Sequence, residues 1–394
     1  MFDGLLTALT DAIRGRDDLS DRDIRALADD LIRERTEVGT LSIREKRYLS
    51  SRLFHSVRGL GVIQALIDDD EVSEIMVNGC RDVFVERRGI ISKEKEAFAS
   101  KEELEDVIRR IAGRCNRVIN ESRPIVDARL ENGSRVNAVL PPIAPDGPIL
   151  TIRRFRDQPI DMTQLVRGGS LTREAAEDLG RFVQCGYSIM VSGGTSAGKT
   201  TFLNALSGFV GAQERVITIE DNAELRLQGI DNLVRLEARP PNMEGSPVIS
   251  IRDLIRTSLR MRPDRIIVGE VRDEAAAELL QALNTGHSGS ISTIHANSAV
   301  DTLSRLETLT LLGQPMPLVA VRRQIASAID LIVYLERLSD RSRRVMQISE
   351  VLGMGEEDIL IHDLYRREPG LGGQLVKVDE LKRRDKLRRF GYEA

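Results

Sequence analysis

Apolar residues recur at two different spacings along the chain, and the first stretch has the spacing of helices. After Ser20, which with Asp23 forms a plausible N-cap pair, apolar residues return every three or four positions at Ile24, Leu27, Leu31 and Ile32. A second stripe runs through Leu49, Leu53 and Val57. The pattern predicts a helical N-terminal segment over residues 1–58, a small appendage whose stripes pack on each other or on a partner.

From about Gly59 short β-like runs appear instead, which predicts an α+β domain over residues 59–156. The expected strands are Glu74–Val77, Val83–Glu86, Arg135–Leu140 and Ile149–Phe155. One helix, Lys101–Asn116, is expected between them, with Ser100 and Glu103 as its capping box. The polar, proline-containing stretch Arg156–Pro159 is the expected linker to the next domain.

Residues 157–394 alternate between short β-branched runs and helical stretches. The expected strands are Ile189–Val191, Val216–Ile219, Ile266–Val268 and Ser290–Ile294, and the expected helices include Thr201–Ser207, Asp253–Arg262 and Asp273–Asn284. Such alternation predicts an α/β domain with a mostly parallel sheet covered on both faces.

Composition narrows the classes of protein. The 394 residues carry a net charge of -4, which argues against a chain whose main task is wrapping nucleic acid. Its 3 cysteines form no Cys-x-x-Cys pair, which fits a reducing, cytoplasmic compartment. We find no secretory signal and no apolar run near the roughly 20 residues of a membrane helix, so any membrane contact should be peripheral.

Near the end of the chain lies a basic run, Lys382–Arg389. We interpret this basic tail as a solvated helix face, with contact to anionic lipid or to a partner as the alternative.

One segment carries a specific chemical signature. Gly193-Gly194-Thr195-Ser196-Ala197-Gly198-Lys199-Thr200 fits the P-loop pattern G-x-x-x-x-G-K-[ST], between an expected strand and an expected helix that begins at Thr201. Its glycines let backbone amides surround phosphates, Lys199 reaches the β- and γ-phosphates, and Thr200 offers a hydroxyl to Mg²⁺. The segment predicts a site for ATP with Mg²⁺.

Acidic residues follow two of the expected strands. Glu270 ends the run Ile266–Val268 in a Walker B arrangement and can join Mg²⁺, while Glu220 and Asp221 follow Val216–Ile219. Because the carboxyl ends of parallel strands share one edge, these acids should meet the P-loop there. We favour Glu220 for activating water and Glu270 for the metal, with the opposite assignment left open.

His295, which ends another apolar run, is expected to act as a polar sensor near the γ-phosphate rather than as a satisfied core histidine.

The motifs resemble those of the secretion ATPases of type II and type IV systems, nearest to the CpaF branch that serves tight-adherence (Flp-type) pili. The resemblance covers roughly residues 59–351. The matching segments are Ile75–Gly79, Val126–Leu130, Gly133–Asn137, Thr151–Arg153, the P-loop, Ile219–Asp221, Pro263–Asp273 and Gly286–Asn297.

This resemblance implies a RecA-like motor domain behind an N-terminal domain, in a hexameric ring that acts on an inner-membrane platform protein of a pilus or secretion system. It further implies arginines that complete the site. The matching positions are Arg129, Arg135 and Arg153 in the N-terminal domain and Arg256, Arg260 and Arg272 in the motor.

Two departures from the resemblance stand out. Ser196 and Ala197 occupy positions where many relatives have Gly and Ser, and the four-cysteine zinc module of some type II relatives is absent. Alternatives to a motor are a nucleic-acid translocase, disfavoured by scarce aromatics, and a non-catalytic scaffold, disfavoured by the two glutamates.

Overall fold

The computed structural model describes residues 2–16, 19–35, 41–87, 89–130, 132–154, 160–239, 247–370 and 372–392. The chain divides into two compact units, Met1–Asp157 and Gln158–Ala394. The expected linker Arg156–Pro159, and Phe155 at the end of the last expected strand before it, lie outside the described residues.

The first unit opens with three helices: α1 (Phe2–Ile13), α2 (Asp21–Arg35) and α3 (Ile43–Val57). The two predicted helices are present, and the Asp23 amide donates to Ser20 Oγ at 3.3 Å as expected of the N-cap. Helix α1 was not predicted. Its Leu5 and Leu9 pack into a small core with Ile32 and Leu53.

The rest of the first unit is a six-stranded sheet with a covering helix. Its elements are α4 (Gln64–Asp68), β1 (Val72–Asn78), β2 (Asp82–Arg87), β3 (Ile90–Lys93), α5 (Lys101–Arg114), β4 (Ile125–Arg129), β5 (Arg135–Val139) and β6 (Ile149–Arg153). The order is β3-β2-β1-β6-β5-β4, with every pairing antiparallel. Alternate strand residues enter a core with the apolar face of α5, whose first amides are capped by Ser100.

The second unit contains a nine-stranded sheet. Its elements are α6 (Met162–Arg167), α7 (Arg173–Gln184), β7 (Ile189–Gly193), α8 (Lys199–Ser207), β8 (Arg215–Glu220), β9 (Asn232–Glu237), α9 (Ile251–Ser258), β10 (Arg265–Val271), α10 (Ala275–Asn284), β11 (Ile291–Ile294), α11 (Ala299–Gly313), α12 (Leu318–Ala328), β12 (Leu331–Arg337), β13 (Arg343–Met354), β14 (Ile359–Arg367), β15 (Leu375–Lys377) and α13 (Asp385–Arg389).

The order is β15-β14-β13-β12-β7-β11-β10-β8-β9. Strands β12 through β9 in this order pair in parallel, while β13, β14 and β15 extend the sheet antiparallel.

Both faces of this sheet are covered, as the sequence predicts. Ile189 and Val191 of β7 point into a core with α7 and α8, and Met190 between them points into a second core with α9 to α12. A strand that buries both faces must be apolar at every position, which is why β7 reads as a continuous run. The α/β, RecA-like P-loop class expected of this part of the chain is confirmed.

The basic tail is partly docked, so the expectation of a solvated helix face holds for Arg388 and Arg389 but not for Lys386. The Lys386 ammonium lies 2.6 Å from Asp330 Oδ2, and the backbone amides of Lys382 and Arg383 donate to the Glu350 carboxylate at 2.7 and 2.6 Å. Asp330 is 6% exposed and Glu350 is 1% exposed. Two buried acids therefore hold the tail, because a buried carboxylate needs a cation or hydrogen-bond donors.

Within the described part of the chain, no helix is both long and apolar enough to cross a membrane.

Candidate functional site

The P-loop connects β7 to α8, and glycine is required at its first position. Gly193 closes β7 beside β12, where a Cβ atom would lie 2.4 Å from the Leu335 carbonyl oxygen. Gly198, with φ +93°, turns the chain into α8. Thr195 and Ser196 are exposed and Ala197 is buried, while Thr200 and Thr201 lie half-buried in the first turn of α8.

Ser196 is the strained residue of the loop. Its φ of +61° lies in the left-handed region, which costs a residue with a Cβ about 1–2 kcal/mol more than it costs glycine. The sequence identified this position as a departure from many relatives. The structure adds that the serine adopts the backbone conformation glycine favours.

Lys199 and His295 come together beneath the loop. Lys199 is 7% exposed, and its ammonium donates to the carbonyl oxygens of Gly193 at 3.0 Å and Gly194 at 3.2 Å. The same nitrogen lies 3.3 Å from each ring nitrogen of His295. The P-loop lysine and the predicted sensor histidine therefore share one site.

His295 also faces the Walker B acid. Its Nε2 lies 3.1 Å from Glu270 Oε1, although the contact lacks hydrogen-bond alignment. Burial lowers the pKa of His295, and the positive charge of Lys199 lowers it further against the opposing effect of Glu270. The imidazole is thus held neutral, able to accept one hydrogen bond and donate another.

Arg272 completes this charged group. Its guanidinium donates to Glu270 Oε2 at 2.9 Å and lies 3.7 Å from Asp221 Oδ2. The hydrogen bond to Glu270 raises the pKa of Arg272. Of the motor arginines that the resemblance implies, Arg272 is the one placed among the predicted acids.

Glu220 ends β8 at the same sheet edge, and Gly269 of β10 makes room for it. A Cβ atom on Gly269 would lie 2.9 Å from Glu220 Cγ, so the carboxylate rests on the glycine. Glu220 Oε2 accepts from the amides of Glu224 at 2.8 Å and Leu225 at 2.9 Å. Burial raises the pKa of Glu220 to about 7 despite these two bonds, which favour the charged form.

The other oxygen of Glu220, Oε1, is buried and has no hydrogen-bond partner among the described residues. A buried acceptor that lacks a donor is costly unless the site has a use for it.

The remaining motor arginines lie elsewhere. The Arg256 guanidinium is paired with the buried carboxylate of Glu278 on α10, at 2.5 Å, and Arg260 is exposed in the 3-10 turn Leu259–Met261 after α9. Their predicted contact with phosphates stays a prediction.

The three arginines of the first unit form a row. Arg129, Arg135 and Arg153 are direct cross-strand neighbours on β4, β5 and β6, opposite the core face of that sheet. Arg153 faces Glu74 of β1 at the end of the row. The sequence singled these positions out as separate motifs, and the strand register makes them one cationic stripe.

Two contributors to the site were missed by sequence reasoning. Gly269 lies inside the motif Pro263–Asp273, in which the sequence gives a role to Glu270 but none to the glycine. Arg343, at the start of β13, donates from Nε to the Ser196 carbonyl oxygen at 3.0 Å. No sequence signal linked Arg343 to the P-loop, because the contact arises from the path of the β12–β13 hairpin.

The P-loop lies between a buried strand and a helix of a largely parallel, RecA-like sheet, and acids lie at the carboxyl edge of that sheet. These features place the chain in the class of P-loop proteins. Within it, residues 56–364 match the family model described as type II/IV secretion system protein, and the chain belongs to that family.

Named relatives agree with this membership. A putative conjugal transfer protein of Mycobacterium tuberculosis is 33% identical over 331 residues, covering 82% of this chain and 93% of that protein. The type IV secretion system protein PtlH of Bordetella pertussis is 35% identical over 316 residues, covering 73% of this chain and 93% of its own.

Solved structures share the fold. The Legionella pneumophila ATPase DotB superposes with a TM-score of 0.51 at 21% identity, over 75% of this chain and 80% of that one. The pilus retraction motor PilT, with bound ADP, gives 0.52 at 18% identity, over 84% and 86%.

Proposed function

We propose that this protein is a Mg²⁺-dependent ATPase that powers protein secretion or pilus assembly. The observation that carries the proposal is the cluster at one sheet edge, where the P-loop Lys199 contacts His295 and His295 faces Glu270. Family membership supports the secretion system, and the relatives named for conjugal transfer and type IV secretion support the same setting.

The proposed reaction is hydrolysis of ATP to ADP and phosphate. Lys199 would exchange its two carbonyl partners for phosphate oxygens, where its charge offsets the charge that develops in phosphoryl transfer. Glu220 would orient the attacking water with Oε1 and take its proton, since Oε2 is already held by two amides. His295, kept neutral, would hydrogen-bond the γ-phosphate.

Mg²⁺ would be held by the Thr200 hydroxyl and the Glu270 carboxylate, oxygen donors of the kind that Mg²⁺ prefers. Glu270 suits this role because its Oε1 is buried without an aligned hydrogen bond among the described residues. When bound, the ion neutralises negative charge on the phosphates.

Phosphate release from purified protein tests the site. Lys199→Ala and Glu270→Gln should each abolish hydrolysis while circular dichroism and melting stay close to wild type. Arg388→Ala, at an exposed tail position, is the matched control and should hydrolyse ATP normally. Undiminished turnover in Lys199→Ala would refute the assignment of the P-loop as the active site.

We further infer a hexameric ring in the cytoplasm, peripheral to the inner membrane, acting on a platform protein of the CpaF-branch pilus systems. The motifs that resemble that branch support this finer assignment. Sedimentation with a nonhydrolysable ATP analogue should give the mass of six protomers. Genes for pilins and for a platform protein should lie next to the gene of this protein. A motor of this kind should show no stimulation by DNA, whereas stimulation would favour the nucleic-acid translocase.

A further inference from the structure

We propose that Arg343 is a positioning residue for the P-loop and keeps Ser196 in the conformation that nucleotide binding needs. The proposal rests on the proposed ATPase function and extends it to a residue outside every motif. Its starting point is the hydrogen bond from Arg343 Nε to the Ser196 carbonyl oxygen at 3.0 Å. Ser196 is also the one P-loop residue other than glycine with a positive φ, at +61°.

The hydrogen bond acts on the strained peptide. A serine is disfavoured in the left-handed region because its Cβ crowds the backbone, so the loop should drift to other conformations unless something holds it. The Ser196 carbonyl belongs to the peptide group that joins Ser196 to Ala197, directly after the strained residue. A donor from a charged guanidinium makes a stronger bond than a neutral donor and fixes the plane of that peptide group.

Arg343 is itself held in place. Its backbone pairs with Arg337 across the β12–β13 hairpin, and its carbonyl oxygen accepts from Ser170 Oγ at 2.8 Å. Its side-chain stem also covers Gly198, since a Cβ atom on that glycine would lie 3.1 Å from Arg343 Cδ. The arginine therefore spans the turn from Ser196 to the start of α8.

The same hairpin also supports the start of the loop. Leu335 of β12 pairs with Gly193, and its carbonyl oxygen leaves no space for a side chain there. The hairpin from Leu335 to Arg343 thus backs the P-loop at both ends. Serine at position 196 is compatible with a working loop because this template, rather than the residue's own preference, sets the backbone.

A double-mutant cycle tests the proposal. The variants are Arg343→Ala, Ser196→Gly and the two combined, with the Kd for a fluorescent ATP analogue with Mg²⁺, and KM and kcat for ATP, as readouts. Arg343→Ala should raise Kd and KM by about tenfold, the scale of one net hydrogen bond. Because glycine adopts a positive φ without strain, Ser196→Gly should restore the double variant to within about twofold of Ser196→Gly alone.

Two further variants complete the cycle. Arg343→Lys keeps the charge but loses the planar fork, so it should fall between wild type and Arg343→Ala. Arg344→Ala is the matched control, because the neighbouring guanidinium donates to the Gly168 carbonyl oxygen at 2.8 Å rather than to the loop. It should leave Kd unchanged.

An equal loss from Arg343→Ala in the serine and glycine backgrounds would overturn the proposal, as would a Kd in Arg343→Ala equal to wild type. Failure of the proposed function looks different. Wild-type protein would then bind the analogue without hydrolysing ATP, and the binding cycle would still report on Arg343.

Discussion

Glu220 combines deep burial with two hydrogen bonds on one oxygen, and this makes its protonation a measurable property of the site. With its pKa raised to about 7, the carboxylate is half-protonated at neutral pH. If it accepts the proton of the attacking water, kcat/KM should fall as the pH drops below about 7. Glu220→Gln should lower the rate by a factor of about 10²–10⁴. Its remaining activity should not show this fall at acidic pH, the acid limb of the profile.

The activity that remains in Glu220→Gln is the comparison in the same pH series. An acid limb near pH 7 that persists there would show that Glu220 is not the group that accepts the proton, and the assignment of the two glutamates would then be reversed.

The same shift should appear in stability. The folded state holds the Glu220 proton to about pH 7, whereas a glutamate in water, as in the unfolded chain, loses it near 4.5. Its stabilising contribution is thus complete below pH 4.5 and is lost as the pH rises through 7. Glu220→Gln should therefore melt at a higher temperature than wild type at pH 8, by about 2–4 °C for each kcal/mol that the substitution adds to the free energy of unfolding. The difference in melting temperature should be smaller at pH 5.

Thermal melts of both proteins at the two pH values provide the measurement. A difference of equal size at pH 5 and pH 8 would show that the gain has another origin.

Residue-scale geometry was the hardest part to predict from sequence. The P-loop, Lys199, Glu220, Glu270 and His295 were found because their motifs are local. The sequence marked Ser196 as a position where many relatives have Gly, but it did not show that the serine would adopt the left-handed conformation. Arg343 was missed because its role depends on a hairpin that returns to the loop from a distant part of the chain.

At the scale of elements, α9 and α10 are joined by one buried carboxylate. Glu278 Oε1 accepts from Arg252 Nε at 2.8 Å and from Arg256 Nε at 3.1 Å. The Arg252 side chain is 22% exposed and also binds Glu274, whereas that of Arg256 is 55% exposed. Arg252→Ala should therefore destabilise the protein more than Arg256→Ala.

Urea unfolding of the two variants measures the difference. Equal losses would show that the cluster does not discriminate between its two arginines. Because Arg256→Ala should stay folded, its kcat also tests the predicted phosphate contact cleanly.

The elements that the sequence predicted best are those buried on both faces. Val216–Ile219 and Ile266–Val268 are continuous apolar runs, and they became β8 and β10. The antiparallel strands β13 to β15 were missed. In β13, exposed and half-buried residues interrupt the buried ones irregularly, and the strand has irregular register with both of its neighbours. Two sequence patterns predict strands, strict alternation of apolar and polar residues and a continuous apolar run, and neither fits such a segment well.

On the scale of the whole molecule, the basic tail belongs to the fold of the second unit. A chain ending at Leu381 would remove the Lys386 cation from Asp330, which would keep the Ser188 amide at 2.8 Å, and both tail amides from Glu350. Loss of one side of a buried charged pair costs about 3–5 kcal/mol, so the shortened protein should melt well below wild type. Adding Asp330→Asn and Glu350→Gln should recover part of the loss.

The control is a full-length protein carrying Arg388→Ala and Arg389→Ala. Both side chains are exposed, and their loss should change stability by no more than about 0.5 kcal/mol. A truncated chain as stable as wild type would mean that the buried acids are satisfied without the tail.

The contact between Glu220 and Gly269 couples the evolution of two motifs that are far apart in the chain. Any side chain at position 269 would push the glutamate out of its place, so position 269 is not free to change while the acid is present. Across homologous sequences the two should covary: lineages that keep the acid keep the glycine, and substitutions at 269 accumulate where the acid has been lost. An alignment of homologous sequences would show this covariation if the packing contact constrains both positions.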